Sequence, residues 1–125
     1  SYGYEVILPH LMPKRNHRNH TVFLLEPLTY ALKEFTAVHP ICRLEYALIW
    51  FIYEYTEDTP IHCIRDYDNI ETKEVLDIIN SFFLLDDGGA FCELHYSTRR
   101  GNRNGTRVII SSDIGLVSCQ KINGN

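Results

Sequence analysis

The stretch LEYALIWFIYEYT, from Leu44 to Thr56, contains the longest apolar run of the chain, Ala47 to Tyr53. Its aromatic and branched residues favour extended backbone. Side chains alternate between the two faces of a strand, and here both alternating sets are largely apolar. This pattern is typical of a strand that is covered on both faces. The stretch therefore predicts a central strand that carries much of the hydrophobic core.

A helix bordered by carboxylates follows this strand. After a turn around EDTP, the short extended piece IHCIR leads to RDYDN, Arg65 to Asn69. From Asn69 to about Phe83, apolar residues recur at the spacing of one helix face. The sequence DDGG, residues 86–89, then ends the helix. We expect its buried side to carry Val75, Ile78, Ile79 and Phe82.

The flanking sequence supplies the remaining elements. Near the start, YEVIL predicts a short strand that ends before Pro9, and the apolar spacing from Pro27 to Val38 predicts a helix. After DDGG, the alternation from Ala90 to Tyr96 predicts a half-buried strand. The pair Asn104-Gly105 is a hairpin signal, with TRVIIS as the returning strand. The tail after Asp113 is either an edge strand or loose.

The order strand, helix, strand, helix, strand, strand predicts an α/β or α+β domain with a small mixed β-sheet and two helices packed on one face. A length of 125 residues fits one domain, residues 1–125. With 45% hydrophobic and 22% charged residues, the composition excludes disordered and collagen-like classes. The chain starts at Ser1 and its one methionine is Met12. This start predicts the C-terminal part of a longer polypeptide, although removal of an initiator methionine before serine would give the same sequence.

The sequence favours a cytoplasmic protein without a membrane partner. No apolar run approaches the roughly 20 residues needed to cross a bilayer, and no signal peptide opens the sequence. The four cysteines are widely spaced and form no Cys-x-x-Cys pair. Such spacing is typical of reduced thiols in the cytosol.

The charge is unevenly distributed along the chain. The net charge is −4, but residues 10–20 and residues 99–107 contain basic residues and no acid. These two stretches hold seven of the 12 basic residues, so the other segments are strongly acidic. The asymmetry predicts either two basic arms that hold a nucleic-acid backbone or two solvated loops. The candidate DNA-binding residues are Lys14, Arg15, Arg18, Arg99, Arg100 and Arg103.

Two interpretations compete for RDYDN. In the structural one, Asp68 is a helix N-cap and Glu71, three residues later, completes a capping-box pattern. That interpretation leaves Asp66 without a role. It also leaves Asp86 and Asp87 unexplained, because negative charge beyond the C-terminal end of a helix opposes the helix dipole. Such carboxylates either have another use or are solvated in a turn.

The other interpretation is a metal site. A calcium loop starting at Asp66 is excluded, because its fifth and sixth positions lack the required oxygen ligand and glycine. A magnesium site fits better, since Mg²⁺ accepts carboxylates from separated segments and stabilises a phosphodiester under attack. Asp66, Asp68 and Asp87 would be its ligands. Lys73 either stabilises the phosphate or pairs with Asp77 on the helix surface.

The stretch DYDNIETKEVLDIINSFFLLDD, Asp66 to Asp87, resembles the signature of the RusA-type Holliday-junction resolvases. That signature runs Asp-x-Asp-Asn, a lysine, an aspartate and a closing Asp-Asp. The 21 residues that separate the first and last aspartates agree with it. The strand AFCELHYS and the basic stretch after it match the family's order of elements, and LPHLMPKRNHRNH is loosely similar to its entry segment.

The resemblance implies a RusA-like fold and a small dimeric endonuclease that resolves branched DNA by Mg²⁺-dependent hydrolysis, with Mn²⁺ able to replace Mg²⁺. Asp66, Asp68 and Asp87 would be the catalytic metal ligands. Asp86 would lie beside them, and Lys73 would be the auxiliary cation. The implied partners are branched or structured DNA and a second copy of the chain.

Two features depart from the family. Lys73 follows Asn69 by four residues where the family has three, which rotates the side chain by about 100° on a helix. In addition, the net charge is acidic, whereas junction-binding proteins are usually basic. The alternative is therefore a catalytically silent DNA-binding module of a phage or mobile element with the same fold. A third interpretation is a structural domain whose aspartates are caps and turns.

Overall fold

The computed structural model describes residues 2–8, 22–41, 43–64, 72–85, 92–112 and 118–123. Five strands and two α-helices lie within these ranges, and a short 3-10 helix, Ile61–Cys63, follows the second strand. The elements in chain order are β1 (Tyr2–Leu8), α1 (Val22–Val38), β2 (Ala47–Thr56), α2 (Lys73–Phe83), β3 (Cys92–Gly101), β4 (Gly105–Ser111) and β5 (Ser118–Asn123).

The five strands form one mixed sheet in the order β3-β2-β4-β1-β5. β2 pairs parallel with β3 and antiparallel with β4. β1 pairs antiparallel with β4 and parallel with β5. This architecture confirms the predicted α+β class with a mixed sheet and two helices. It also shows that the chain after Asp113 contributes an edge strand.

The core lies between both helices and one face of the sheet. Ile49, Phe51 and Tyr53 of β2 belong to a single hydrophobic cluster with residues of α1 and α2. The alternate set of β2 side chains includes Leu48, Trp50 and Ile52 and lies on the opposite face. Neither helix of the described ranges packs there, and we call it the helix-free face. The fully buried side chains of the cluster, at 0–1% exposure, include Val6, Leu28, Leu32, Val75, Ile79, Phe83, Val108 and Ile110.

β2 is the central strand that its apolar pattern predicts. Both of its edges are paired, and Leu48 and Ile52 are nearly buried on the helix-free face while Trp50 remains 38% exposed. The strand begins at Ala47, three residues later than predicted. Leu44 instead forms an isolated bridge with Leu84.

The predicted hairpin at Asn104-Gly105 is wrong. β3 and β4 are consecutive in the chain, but β2 lies between them in the sheet. Two steps of strand spacing separate β3 and β4 by about 10 Å, a distance that three connecting residues can span. Asn104 Oδ1 accepts a hydrogen bond of 3.0 Å from the backbone N–H of Thr56, which fastens the connection to the end of β2.

Both helices begin at positions that the sequence analysis did not anticipate. α1 starts at Val22, and Pro27 lies inside it instead of at its start. The preceding apolar residues continue the helix even though proline removes one backbone hydrogen bond. α2 starts at Lys73 with Thr72 at the N-cap position, four residues after the predicted start at Asn69, and Asp68 lies outside the described residues.

No helix in the described ranges is both long and apolar enough to cross a membrane.

Candidate functional site

α2 separates the two acidic segments of the sequence. Val75, Ile79 and Phe83 recur at helical spacing and bury the inner side of this helix against the sheet. At its end, the backbone N–H of Leu44 donates to the carbonyl of Phe83 at 2.7 Å, and the N–H of Leu85 donates to the carbonyl of Leu44 at 2.9 Å. The chain therefore leaves α2 beside the segment that enters β2.

Most of the predicted site lies outside the described residues. This applies to the carboxylates Asp66, Asp68, Asp86 and Asp87, and to the first basic stretch with Lys14, Arg15 and Arg18. Within the described ranges, no group of three or more His, Cys, Asp or Glu side chains could hold a metal ion. The metal site therefore stays a prediction that depends on segments at either end of α2.

Lys73 is the one predicted catalytic residue within the described ranges. Its Nζ lies 3.2 Å from Oδ2 of Asp77, one turn further along α2. Both side chains are well exposed, at 80% and 58%. An exposed i,i+4 pair stabilises a helix by only about 0.3–0.5 kcal/mol. The ammonium group therefore lies on the solvent side of α2, as one of the two sequence interpretations predicts.

Four charged side chains form a ladder across the helix-free face, and we call Glu5, Arg107, Glu54 and Arg99 the charge ladder. They come from β1, β4, β2 and β3, which are neighbours in that order in the sheet. Arg107 Nη1 donates to Glu5 Oε1 at 3.1 Å, and its Nε lies 3.5 Å from Glu54 Oε1. Arg99 Nε donates to the other oxygen of Glu54 at 3.1 Å.

The charge ladder compensates carboxylates that are largely removed from water. The Glu54 side chain is 10% exposed and the Glu5 side chain is 14% exposed. Burial alone would lower the pKa of Arg107, but its hydrogen bonds and charge interactions with Glu5 and Glu54 outweigh that effect and raise this pKa. Buried charges persist only when they are paired and hydrogen-bonded. The ladder therefore connects four strands on the helix-free face.

The second basic stretch is mostly engaged within the fold. Arg99 and Arg107 bind Glu54, and Arg100 Nη1 donates to the carbonyls of Thr56 at 2.8 Å and Thr59 at 2.7 Å. Arg103 is exposed in the connection between β3 and β4. Of the three predicted DNA-binding arginines in this stretch, two therefore hold the end of β2 in place.

A second polar cluster, which the sequence did not predict, lies on and beside β3. Tyr46 donates to Glu93 at 2.7 Å, and the ring of His95 lies 3.1 Å from the other carboxylate oxygen of Glu93. The hydrogen bonds from Tyr46 and His95 hold the pKa of Glu93 below its usual value. Trp50 Nε1 donates to Ser97 Oγ at 2.8 Å on the same face. The alternation of polar residues along CELHYSTRRG was the signal that could have indicated this row.

Comparison with known proteins identifies a family without an assigned activity. No curated protein matches the sequence of the chain. Residues 3–114, which include all of β1 except Tyr2, β2 to β4 and both helices, match the model of a family of unknown function, DUF6100. The chain is therefore a member of the DUF6100 family.

Proposed function

We propose that this protein is a cytoplasmic, Mg²⁺-dependent endonuclease that cuts branched DNA by phosphodiester hydrolysis and acts as a homodimer. The observation that carries the proposal is the position of α2. This helix ends just before Asp86 and Asp87 and begins a few residues after Asp66 and Asp68. In the sequence, α2 therefore lies between the Asp-x-Asp and Asp-Asp parts of the stretch that resembles the RusA-type signature.

The length of α2 sets a condition on a shared metal site. Eleven helical residues extend for about 16 Å, so the two ends of α2 are too far apart to share one ion directly. The chain between Asp66 and Thr72 can extend for about 20 Å. Carboxylates from both segments can therefore meet if one segment returns alongside α2.

The donor set suits a hard divalent cation. Asp66, Asp68 and Asp87 would hold Mg²⁺, with Asp86 beside them, because Mg²⁺ prefers carboxylate oxygens. When bound, the ion supplies Lewis-acid polarisation of the phosphate and a more acidic water. The protein's own part is to hold the three carboxylates and to orient the DNA backbone.

We propose fewer DNA-binding residues than the sequence predicted. Arg99 and Arg100 already donate to groups of the fold, whereas Arg103 is exposed. We assign backbone contacts to Arg103 and to the first basic stretch with Lys14, Arg15 and Arg18. Such contacts are independent of base sequence and sensitive to salt.

The direct test is cleavage of a synthetic four-way junction by the purified protein. Products are expected with Mg²⁺ or Mn²⁺, and none are expected with EDTA or with a linear duplex of the same sequence. Intact junctions under all metal conditions, together with a melting temperature that does not respond to millimolar Mg²⁺ or Mn²⁺, would overturn the nuclease proposal.

A second candidate is a catalytically silent DNA-binding module of a phage or mobile element. The ion pair between Lys73 and Asp77 favours this second candidate, because it engages the lysine to which the resemblance assigns a catalytic role. The same junction assay separates the two candidates. Retarded migration of the junction without any cleavage supports the binding module, and cleavage excludes it.

A further inference from the structure

Two aromatic side chains are exposed on the helix-free face. Tyr46, the residue before β2, is 48% exposed, and Trp50, within β2, is 38% exposed. Within the described ranges, neither ring contacts another aromatic ring. Leu48 and Ile52, the other apolar side chains of β2 on this face, are nearly buried. The exposed apolar surface of this strand therefore belongs mainly to the two rings.

The polar end of each ring is held by the neighbouring strand. The hydroxyl of Tyr46 donates to Glu93 at 2.7 Å, and Nε1 of Trp50 donates to Oγ of Ser97 at 2.8 Å. Both acceptors lie on β3, which pairs with β2. The hydrogen bonds restrict each ring to the surface of the β2–β3 pair, so its flat apolar part stays open to a ligand. A ring that is already fixed loses little conformational entropy when a ligand stacks on it.

The spacing of the rings suits a short single strand of nucleic acid. Four residues separate Tyr46 from Trp50, so their Cα atoms are at most about 14 Å apart. Stacked nucleotides of one strand rise by about 3.4 Å each, so about four nucleotides cover this distance. Every base has a flat π-face, so stacking on aromatic side chains tolerates any sequence.

The exposed charge along β3 changes from acidic to basic. Glu93, at the Tyr46 end, has a side chain that is 46% exposed. Beyond Trp50, the side chain of Arg99 is 48% exposed, whereas its partner Glu54 is only 10% exposed. The connection after β3 then adds the exposed Arg103. A DNA strand that leaves Trp50 towards Arg103 therefore crosses a surface whose exposed charge is positive.

We propose that Tyr46 and Trp50 form a stacking platform for the unpaired bases of a single DNA strand that continues to Arg103. The choice of DNA as the ligand rests on the function proposed above, because strand opening at a branch point exposes base faces that a duplex hides. The platform supplies stacking, and Arg103 supplies the phosphate contact already assigned to it. Such a site binds single strands without sequence preference.

The first test is the fluorescence of Trp50, which is the only tryptophan of the chain. Its emission therefore reports on the stacking platform alone. The wild type is titrated in EDTA with an oligothymidylate of about 12 nucleotides, a typical length for a single-strand site. We expect saturable quenching by this oligonucleotide. An abasic oligomer of the same length carries the same phosphates without bases, and it should quench much less, as should a blunt duplex.

The second test measures binding of the labelled oligothymidylate by fluorescence anisotropy. Trp50→Ala and Tyr46→Ala should each raise the dissociation constant by about fivefold or more, because each removes the support of one stacked base. Trp50→Phe keeps an aromatic ring and should retain most of the affinity. The matched control is Tyr30→Ala, because Tyr30 is 64% exposed and bonded to Glu34 but lies on α1. It should change the dissociation constant by less than about twofold.

Three results would overturn the stacking platform. They are a wild type whose emission ignores the oligothymidylate, equal quenching by the abasic oligomer, and equal losses of affinity in Tyr30→Ala and Trp50→Ala. A shift of Trp50 emission to shorter wavelength as protein concentration rises without DNA would also overturn it, since a second copy would then cover the face. Quenching of the wild type does not depend on the folding of variants.

The two proposals fail separately. Neither binding assay contains a divalent metal or requires cleavage, so a protein without nuclease activity still quenches if the platform is correct. Conversely, cleavage of a four-way junction without quenching by single strands would support the nuclease and refute the platform.

Discussion

The carboxylate of Glu54 lies directly against Gly101. A Cβ atom built on Gly101 would stand 2.5 Å from Cδ and Oε2 of Glu54, closer than a carbon atom tolerates. Glu54 cannot easily move away, because Arg99 and Arg107 bind its two oxygens. The absence of a side chain at Gly101 is therefore a condition for the charge ladder across the helix-free face.

Gly101→Ala is expected to destabilise the protein by about 1–3 kcal/mol, because the added methyl group overpacks a restrained site. The free energy of unfolding is measured by urea denaturation. In a Glu54→Ala background the same substitution should cost clearly less, since the atoms that it meets are gone. Asn102→Ala, at the exposed neighbouring position, is the control. An equal cost of Gly101→Ala in both backgrounds would contradict the contact.

Arg107→Met should be more damaging than Arg99→Met. Arg107 binds both Glu5 and Glu54 with a side chain that is 22% exposed, and its loss leaves two nearly buried carboxylates without their shared partner. Breaking a fully buried pair costs about 3–5 kcal/mol, so we expect about 2–3 kcal/mol here. Arg99 is 48% exposed, and water screens its contact, so its loss should cost about 1 kcal/mol or less. Thermal or urea unfolding of both variants checks this order.

Tyr46→Phe should raise the pKa of Glu93. The hydrogen bond from Tyr46 is the largest cause of the lowered pKa, and the contact with His95 is the second. A carboxyl whose pKa is lower when folded adds stability above its unfolded pKa and loses it as pH falls through the folded value. The stability difference between wild type and variant should therefore be present at neutral pH and vanish in acid. Carboxyl NMR titration measures the pKa directly, and an unchanged Glu93 midpoint would contradict the prediction.

Arg103→Ala is the clean test of DNA contact by the second basic stretch. If Arg103 binds one phosphate, the slope of log affinity for a four-way junction against log salt should decrease by about one. The melting temperature should stay unchanged, since Arg103 is exposed. Arg100→Ala is the comparison, and it should lower the melting temperature because Arg100 holds the carbonyls of Thr56 and Thr59. An unchanged salt slope in Arg103→Ala would show that the connection between β3 and β4 does not contact the DNA.

Asp87→Asn should abolish Mg²⁺-dependent cleavage while leaving stability without metal equal or higher. If the predicted carboxylates converge, their mutual repulsion without metal lowers stability, and neutralising one of them relieves it. The variant should also lose the rise in melting temperature that Mg²⁺ gives by binding the folded state. Asp68→Asn should behave similarly, and Asp58→Asn, in the turn after β2, is the control. A normal metal response in Asp87→Asn would exclude this carboxylate from the site.

Local patterns in the sequence were sufficient for both helices, the first four strands and their order, whereas they left open whether the tail forms the strand β5. The two-faced apolar run of β2, the helical spacing of Val75, Ile78, Ile79 and Phe82, and the alternation in β3 all depend on neighbours within a few residues. Of the predicted helix residues, Val75 and Ile79 are fully buried, Ile78 and Phe82 are only partly buried, and Phe83 is buried in addition. The predicted helix starts were less accurate, because they relied on Pro27 and Asp68, whose residue types are favoured at the start of a helix. In the structure α1 begins at Val22, and α2 begins at Lys73 after Thr72.

Tertiary structure alone decided which strands pair and what the charged residues bind. The insertion of β2 between β3 and β4 overrode the hairpin signal at Asn104-Gly105, since strand order depends on how the whole sheet packs against the helices. The same order brings Arg107 to Glu5, 102 residues away in the chain, and Arg99 to Glu54, 45 residues away. The sequence indicated two basic arms because the clustering of basic residues is visible along the chain. The carboxylates that pair with these residues lie on other strands, and only the strand order of the sheet brings them into contact.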